Sequence, residues 1–511
     1  MRWPGHPHQP QPTREAQRQT SRAHHPIATH VSIRRSLVYS YLDRYASLVI
    51  SIVSSMIIAR LLTPADIGVF SVTMVLLAFV TTVRDMGAGG YLVQEKELTI
   101  DRIRAVWAVQ LGLGVLLGLV VLIASIPVAM FYAEPRMRDI MMVVALTYVL
   151  NPFGSLTYAW QIREMHFDKL ALVRFLSTLA GAVVSIALAW RGFGPLSLAL
   201  GALGSTVVNA LAASYYRPAH FPWLPGVREI RRVLAFGSRT TGASILQTIT
   251  GGAPELILGK LQDMSAVGYY SRASGLLSMF ERLVLSGIAS VAIPWFARKS
   301  REHGDISESF LRATSYVTAV GWSFAIGMAC LAYPAVRLLY GDQWDAAVDL
   351  TRVLSLGLAL GMPAAMGYAA LMAIGGAQQF LRISAWGMVA TVALAFIGAS
   401  QGLLILGLCM ALSGLVRCVL LVQAVQKSTG FEWAEFWRRL RASAAVGLAA
   451  GIGPAASFGF YGVSPNSIWP SLIVGGSGGV IGFLLSVFLL KHPLADELRP
   501  LKAGFLRRFA R

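Results

Sequence analysis

The sequence predicts an all-α polytopic membrane protein of about fourteen crossing helices, and three observations carry that prediction. Of 511 residues 55% are apolar and 14% charged, far below the roughly 25% charged residues of soluble domains. The apolar residues gather in fourteen runs, each near the roughly 20 residues that a helix needs to cross a bilayer core. Charge that played no part in finding those runs alternates between their ends. With the N-terminus inside, the inward segments hold 32 Lys plus Arg and the outward loops 7, as expected of cytoplasmic loops. An omitted or invented span would scramble that alternation from the error onward. The net charge of +19 would suggest a nucleic-acid partner on a soluble chain. Here the cations sit in short clusters between apolar runs, so no nucleic-acid partner is expected.

In chain order, residues 1–36 are rich in Pro, Gln, Arg and His and read as a disordered basic cytoplasmic tail or an over-long start. The tail holds His6, His8, His24, His25 and His30; an unstructured arm explains them more simply than a metal site, and no metal is expected. A cleaved signal peptide is not expected, since the first apolar run starts only at Leu37 and exceeds an h-region. The spans fall at 37–59, 67–83, 106–129, 140–158, 175–190 and 195–215, then 235–258, 267–293, 313–333, 353–374, 383–399 and 403–425, and finally 444–460 and 472–490. Trp107, Trp190, Trp295 and Trp469 stand near span ends, as interfacial anchors do. Cys330, Cys409 and Cys418 lie in apolar runs without CxxC spacing and read as small buried hydrophobes.

An internal repeat organises these spans. Ile33-Arg-Arg-Ser-Leu-Val-Tyr39 recurs as Ile230-Arg-Arg-Val-Leu-Ala-Phe236, and Ala59-Arg-Leu-Leu-Thr-Pro-Ala-Asp-Ile-Gly-Val-Phe-Ser71 as Gly259-Lys-Leu-Gln-Asp-Met-Ser-Ala-Val-Gly-Tyr-Tyr-Ser271. Six spans separate the copies, an even number, so both halves face the same way and relate through an axis along the membrane normal. The predicted organisation is a first lobe at 37–216, a linker at 217–234 with Pro218, Pro222 and Pro225, and a second lobe at 235–425. An amphipathic interfacial segment at 426–443, two last spans within 444–490 and a basic cytoplasmic tail at 491–511 complete it.

Enzymatic function finds little support. No GxxxxGK[ST] phosphate loop is present, and Gly451-Ile-Gly-Pro-Ala-Ala456 lies inside an apolar span without a βαβ context, so no nucleotide or other cofactor is expected. The longest outward loop, 334–352, leaves little room for a catalytic domain. Information concentrates instead in ionisable residues within spans, because an unpaired Arg near the bilayer centre costs about 2.5–3.5 kcal/mol on insertion scales. Arg44, Ser47, Ser51 and Ser55 make one polar stripe along the first span. Arg239, Gln247 and Thr250 share a face of the seventh, where Gly251-Gly252-Ala-Pro254 is expected to break the helix. Arg272, Glu281 and Arg282 lie in the eighth. Arg272, Arg44, Arg239 and Arg282 are the candidates for an anion-receiving cavity. Asp43, Glu255 and Glu281 are the carboxylates available to a coupling proton or sodium, each with a structural ion pair as the blander account.

The stretches Ala59-Arg-Leu-Leu-Thr-Pro-Ala-Asp-Ile-Gly68, Asp85-Met-Gly-Ala-Gly89, Leu92-Val-Gln-Glu-Lys-Glu-Leu-Thr99, Arg163-Glu-Met-His-Phe-Asp-Lys-Leu-Ala171, Gly268-Tyr-Tyr-Ser-Arg-Ala273 and Tyr340-Gly-Asp-Gln-Trp-Asp-Ala-Ala347 come in an order and spacing that resemble the bacterial polysaccharide transporter family. These are lipid-linked oligosaccharide flippases of the multidrug and polysaccharide exporter superfamily. The resemblance implies a MATE-like, two-lobed transporter in the bacterial inner membrane with both termini cytoplasmic. It would pass undecaprenyl-diphosphate-linked sugar repeats to the outer leaflet for exopolysaccharide, O-antigen or capsule assembly. Its partners would be the lipid-linked substrate, membrane lipids, and a polymerase and export machinery. The family's cationic cavity points to Arg272 through the matching Tyr-Ser-Arg-Ala segment. The peptidoglycan-precursor branch carries arginines midway along its first helix; 48–58 here has no charge, which favours a polysaccharide repeat as cargo. The alternatives are a drug or cation antiporter of the same superfamily, centred on carboxylates, and a membrane-embedded polysaccharide polymerase.

Overall fold

The computed structural model describes residues 33–497 and 499 except 85–87, 220, 303 and 304, with the side chains of 33–44, 88, 236–243, 286 and 290 outside the description. The described residues form helices and no strand. In the first half these are α1 (Ile33–Leu61), α2 (Pro64–Arg84), the short α3 (Ala88–Gln94), α4 (Ile100–Tyr132), α5 (Arg136–Arg163), α6 (Phe167–Trp190) and α7 (Leu196–Tyr215). The second half has α8 (Ile230–Leu261), α9 (Met264–Phe280), a π-turn at Glu281–Leu285, α10 (Ser286–Arg301), α11 (Ile306–Tyr340), α12 (Ala346–Gly361), α13 (Gly367–Ala373), α14 (Ala377–Gln401) and α15 (Leu403–Thr429). Two further helices, α16 (Trp433–Tyr461) and α17 (Ile468–Leu489), end the bundle. Twelve stretches among the described residues are long and apolar enough to cross a membrane. With α1 and α8, every expected span coincides with a helix.

Local chemistry sets the helix ends. Thr63 and Asp66 cap α2 reciprocally: Thr63 N donates to Asp66 Oδ2 at 3.1 Å, and Asp66 N to Thr63 Oγ1 at 3.2 Å, around Pro64 at the first helical position. At the repeated position Asp263 Oδ1 accepts from Ala266 N at 2.7 Å and starts α9. Gly430, at φ +74°, closes α15 in the left-handed conformation that glycine tolerates.

The two halves pack by one plan, giving two parallel six-helix lobes plus two C-terminal helices. The pairs α1–α6, α4–α5, α5–α7 and α6–α7 of the first half recur as α8–α14, α11–α12, α12–α15 and α14–α15 in the second. The repeats meet where α2 packs on α9. A Cβ on Gly68 would lie 1.7 Å from the Met264 carbonyl oxygen, and one on Gly268 would lie 2.0 Å from that of Pro64. Three residues on, the Ser71 and Ser271 hydroxyls sit 2.8 Å apart. Residues two hundred apart therefore meet each other across a local two-fold axis. The symmetry is broken where α8 lies along α2, with Gly252 against Val75 and Thr82 Oγ1 3.0 Å from Thr248 Oγ1, whereas the corresponding α1 and α9 do not pack comparably among the described residues.

Several expectations need correction. Helix α8 runs unbroken through Pro254, because proline removes a single backbone donor and the surrounding helices hold the rest. The irregular backbone lies instead at the π-turn after Phe280 and the 3₁₀ turn at Met362–Ala364. Residues 433–443 of the supposed interfacial segment are the first turns of α16, with Phe436 and Leu440 buried in the core, rather than a separate surface helix. Trp107 is only 2% exposed and its Nε1 donates to Trp223 O at 2.9 Å, so it is a core residue and no interfacial anchor. The described residues of 217–229 strap onto α4 through Gly226 N to Arg104 O and through Arg217, whose guanidinium lies 5.1 Å from the Trp107 ring centroid. The 334–352 loop shrinks to a turn, since α11 reaches Tyr340 and α12 starts at Ala346.

Candidate functional site: an arginine in a hydroxyl-lined cavity

Arg272 lies on α9 one residue past Ser271, at the edge of the gap that α1 leaves. A cavity of about 480 Å³ fills that gap, walled by α1, α2, α6, α7 and α9. Seven serines and one threonine line it, with Arg272 as its sole charged residue. Ser51 and Ser55, half of the polar stripe of α1, belong to that wall. The guanidinium Nη1 donates to Ser55 Oγ at 2.9 Å, while Nε is buried with no partner among the described residues. The rings of Tyr340 and Trp344 stand 5.3 and 5.7 Å from its central carbon, a cation–π cage that holds the charge without neutralising it. Among the described residues no carboxylate lines this cavity. A guanidinium short of acceptors, beside hydroxyls, suits an oxyanion: phosphate accepts bidentate, charge-assisted bonds from it.

An unexpected element holds the end of α1. The last carbonyls of α1 have no partner within the helix. Trp344 Nε1 donates to Ala59 O at 2.8 Å, and Gln343 Nε2 to Ala59 O at 2.6 Å and Leu62 O at 3.1 Å. Arg60 Nη2 returns the link to Leu338 O at 2.9 Å. The turn between α11 and α12 thus caps α1, with Trp344 wholly buried.

Glu255, on α8, faces the interface between the repeats and not the Arg272 cavity. Ser71 Oγ donates to its Oε2 at 2.5 Å, and Ser271 bonds Ser71 in turn. No cation pairs with it among the described residues, so an ion pair does not account for its place. Glu281 begins the π-turn and lines a second cavity of about 630 Å³ inside the other half, together with Gln247, Thr250, Ser384, Thr391 and Arg417. Arg282 points elsewhere, its Nη2 3.2 Å from Ser278 Oγ, and does not line either cavity. Arg44, Asp43 and Arg239 sit on helical backbone, but their side chains lie outside the described residues.

Sequence reasoning missed Arg417, Tyr340 and Trp344. Arg417 was findable: it is a charge inside the 403–425 run, and the intramembrane rule that singled out Arg272 applies equally to it. Tyr340 and Trp344 carried no such signal, because about seventy residues separate them from the arginine that they enclose.

A helical bundle that repeats itself about one axis and holds polar cavities among its helices is the architecture of a polytopic membrane transporter. A family model described as polysaccharide biosynthesis protein matches residues 57–349, and the chain belongs to that family. It is 25% identical over 375 residues to the succinoglycan biosynthesis transport protein ExoT of Rhizobium meliloti (strain 1021), covering 72% of this chain and 74% of that protein. It is 22% identical over 313 residues to the lipopolysaccharide biosynthesis protein WzxC of Escherichia coli (strain K12), covering 60% and 62% respectively. Among solved structures, lipid II flippase MurJ in its inward closed conformation aligns with a TM-score of 0.72 at 12% identity over 89% of this chain and 99% of that one. An inward-facing multidrug resistance MATE family transporter aligns at 0.60 with 15% identity, over 75% of this chain and 94% of the other. At such identities the likeness is one of fold.

Proposed function

We infer that this protein is a flippase that carries undecaprenyl-diphosphate-linked oligosaccharide repeats from the inner to the outer leaflet of the bacterial inner membrane, for assembly of a surface polysaccharide. The observation that carries the reading is Arg272, a half-buried guanidinium whose buried Nε has no partner among the described residues, in a hydroxyl-lined cavity with no carboxylate among its described lining residues, in a member of the polysaccharide biosynthesis family. A diphosphate in hydrocarbon is prohibitively unfavourable without partners; a cationic, wet interior removes that barrier while the lipid tail stays among the helices. Arg44 and Arg239, on the helices that flank the two cavities, are further candidates for the diphosphate; Arg282 is a weaker one, as it lines neither. The two halves, 37–216 and 235–425, alternate their access, with both termini cytoplasmic and a polymerase and export machinery downstream. Glu255, Glu281 and Asp43 are the groups available for a coupling ion.

In a strain lacking the gene, the wild-type chain restores surface polymer, and Arg272→Ala leaves the protein in the membrane with lipid-linked repeats retained and polymer lost. Normal polymer in that variant removes Arg272 from the site. A second reading, exchange of cationic solutes, takes its support from Glu255, a half-buried carboxylate with no cation beside it among the described residues. Efflux of a cationic dye from loaded vesicles, abolished by Glu255→Gln and untouched by Arg272→Ala, selects that reading instead.

A further inference from the structure

Outside both polar cavities, a trough of about 700 Å³ runs between α11, α12, α15 and α16. Its wall is almost wholly apolar, from Trp322 and Ile326 on α11 to Val419 on α15 and Leu448 on α16. Val419 and Leu448 are 45% and 66% exposed, so the trough opens sideways to the surrounding medium. From Trp433 to Leu448 it follows α16 for fifteen residues, about 22 Å at 1.5 Å per residue. That length covers a headgroup region plus one leaflet of a hydrocarbon core roughly 30 Å thick. Trp433, Trp437 and Gln423 join the wall toward the start of α16, and Arg441 stands midway between Trp433 and Leu448.

Arg441 is the trough's one charged residue. Its neighbours on α16 are engaged: Arg438 with Glu435, and Arg439 with both Glu435 and Glu308 at 2.5 and 2.6 Å. Arg441 makes no ion pair or hydrogen bond among the described residues. A spare guanidinium with two half-exposed indoles and an amide on one side, and an apolar wall running about 10 Å from Arg441 to Leu448 on the other, match a phosphodiester joined to the upper part of an acyl chain. We propose that this trough binds one anionic glycerophospholipid of the surrounding bilayer, its phosphate on Arg441 and an acyl chain along α16. The inference stands apart from the flippase reading, since it concerns a different cavity and a resident lipid rather than cargo. The same lipid would abut Ala359 and Pro363, at the break in the tenth crossing, and so fill a wall that the protein leaves unpacked.

Tryptophan fluorescence tests it directly, because Trp322, Trp433 and Trp437 line the trough. The full chain is reconstituted in phosphatidylcholine vesicles containing chain-brominated phosphatidylglycerol or, at equal bromine content, chain-brominated phosphatidylcholine. The expected result is stronger quenching by the anionic lipid, lost in Arg441→Gln and kept in Arg438→Gln, which removes the same charge three residues away. Equal loss in both variants means diffuse attraction to a basic surface and overturns the site, as does equal quenching by the two lipids in the wild type. Relief of the quenching by added undecaprenyl diphosphate at trace levels would make the trough a substrate seat and likewise overturn the proposal. The readout requires no transport, so it stands whether or not the chain flips lipid-linked sugars.

Discussion

At the residue scale, the second copy of the repeat carries two opposite charges where the first is neutral. Glu255 holds the position that Ser55 holds in the first copy, and Arg272 the one held by Val72. The cation therefore meets a serine, and the carboxylate meets two serines, where a symmetric pair of salt bridges was available to the fold. Each charge is left free for a ligand. Glu255→Gln retains an acceptor for Ser71 and is expected to keep the fold; if Glu255 carries the coupling proton, transport into vesicles under an imposed proton gradient falls to the rate without a gradient. Retained gradient dependence would exclude it. A second titratable residue acts on stability alone. His492, 1% exposed, accepts from Leu494 N on Nδ1 at 3.2 Å, which leaves Nε2 to donate to Ser315 Oγ at 2.9 Å. Burial lowers its pKa below the ordinary 6.5, so the folded state prefers the neutral ring. Its contribution is complete above about pH 6.5 and is lost as pH falls through the lower folded value. The melting temperature in detergent should drop between pH 7.5 and 5.5, and His492→Gln should flatten that part of the profile. Arg272 and Glu255 were legible in the sequence because a charge inside an apolar run is conspicuous. Ser55, Ser71 and Ser271 were marked too, by the polar stripe and the repeat, but nothing in the sequence pairs them with these charges.

Among elements, α2 and α9 form the joint on which the two halves meet. Gly68 and Gly268 are glycine because each faces a carbonyl of the other helix within van der Waals distance. Gly68→Val or Gly268→Val should cost about 1–3 kcal/mol by overpacking, read as a lower thermal midpoint, with Gly275→Ala, which meets nothing within 4 Å, as the neutral control. The repeat itself was visible in the sequence as matched Gly and Ser two hundred positions apart. That the matched residues touch was not visible, because sequence similarity gives the operation relating two copies and not the place where its axis passes. The continuity of α8 was misjudged for a related reason: Gly-Gly-Ala-Pro reads as a break in an isolated helix, but α2 packs against that stretch and sustains it.

For the whole molecule, the span count and charge alternation made the architecture readable in advance, while the cavities, which depend on how lobes lean, were not. The Ser71–Ser271 contact allows a direct test of motion. With hydroxyl oxygens 2.8 Å apart, Ser71→Cys/Ser271→Cys should cross-link on mild oxidation, since a disulfide spans comparable separations. The oxidised protein should stop exporting polymer and recover on reduction; full activity while cross-linked would show that this joint stays shut throughout the cycle. Because Gln343 and Trp344 grip the final carbonyls of α1, the opening helix of the chain is moored to the opposite lobe. Alternation of the two halves then asks one of two things of α1: it flexes along its length, or these few hydrogen bonds break and re-form in each cycle.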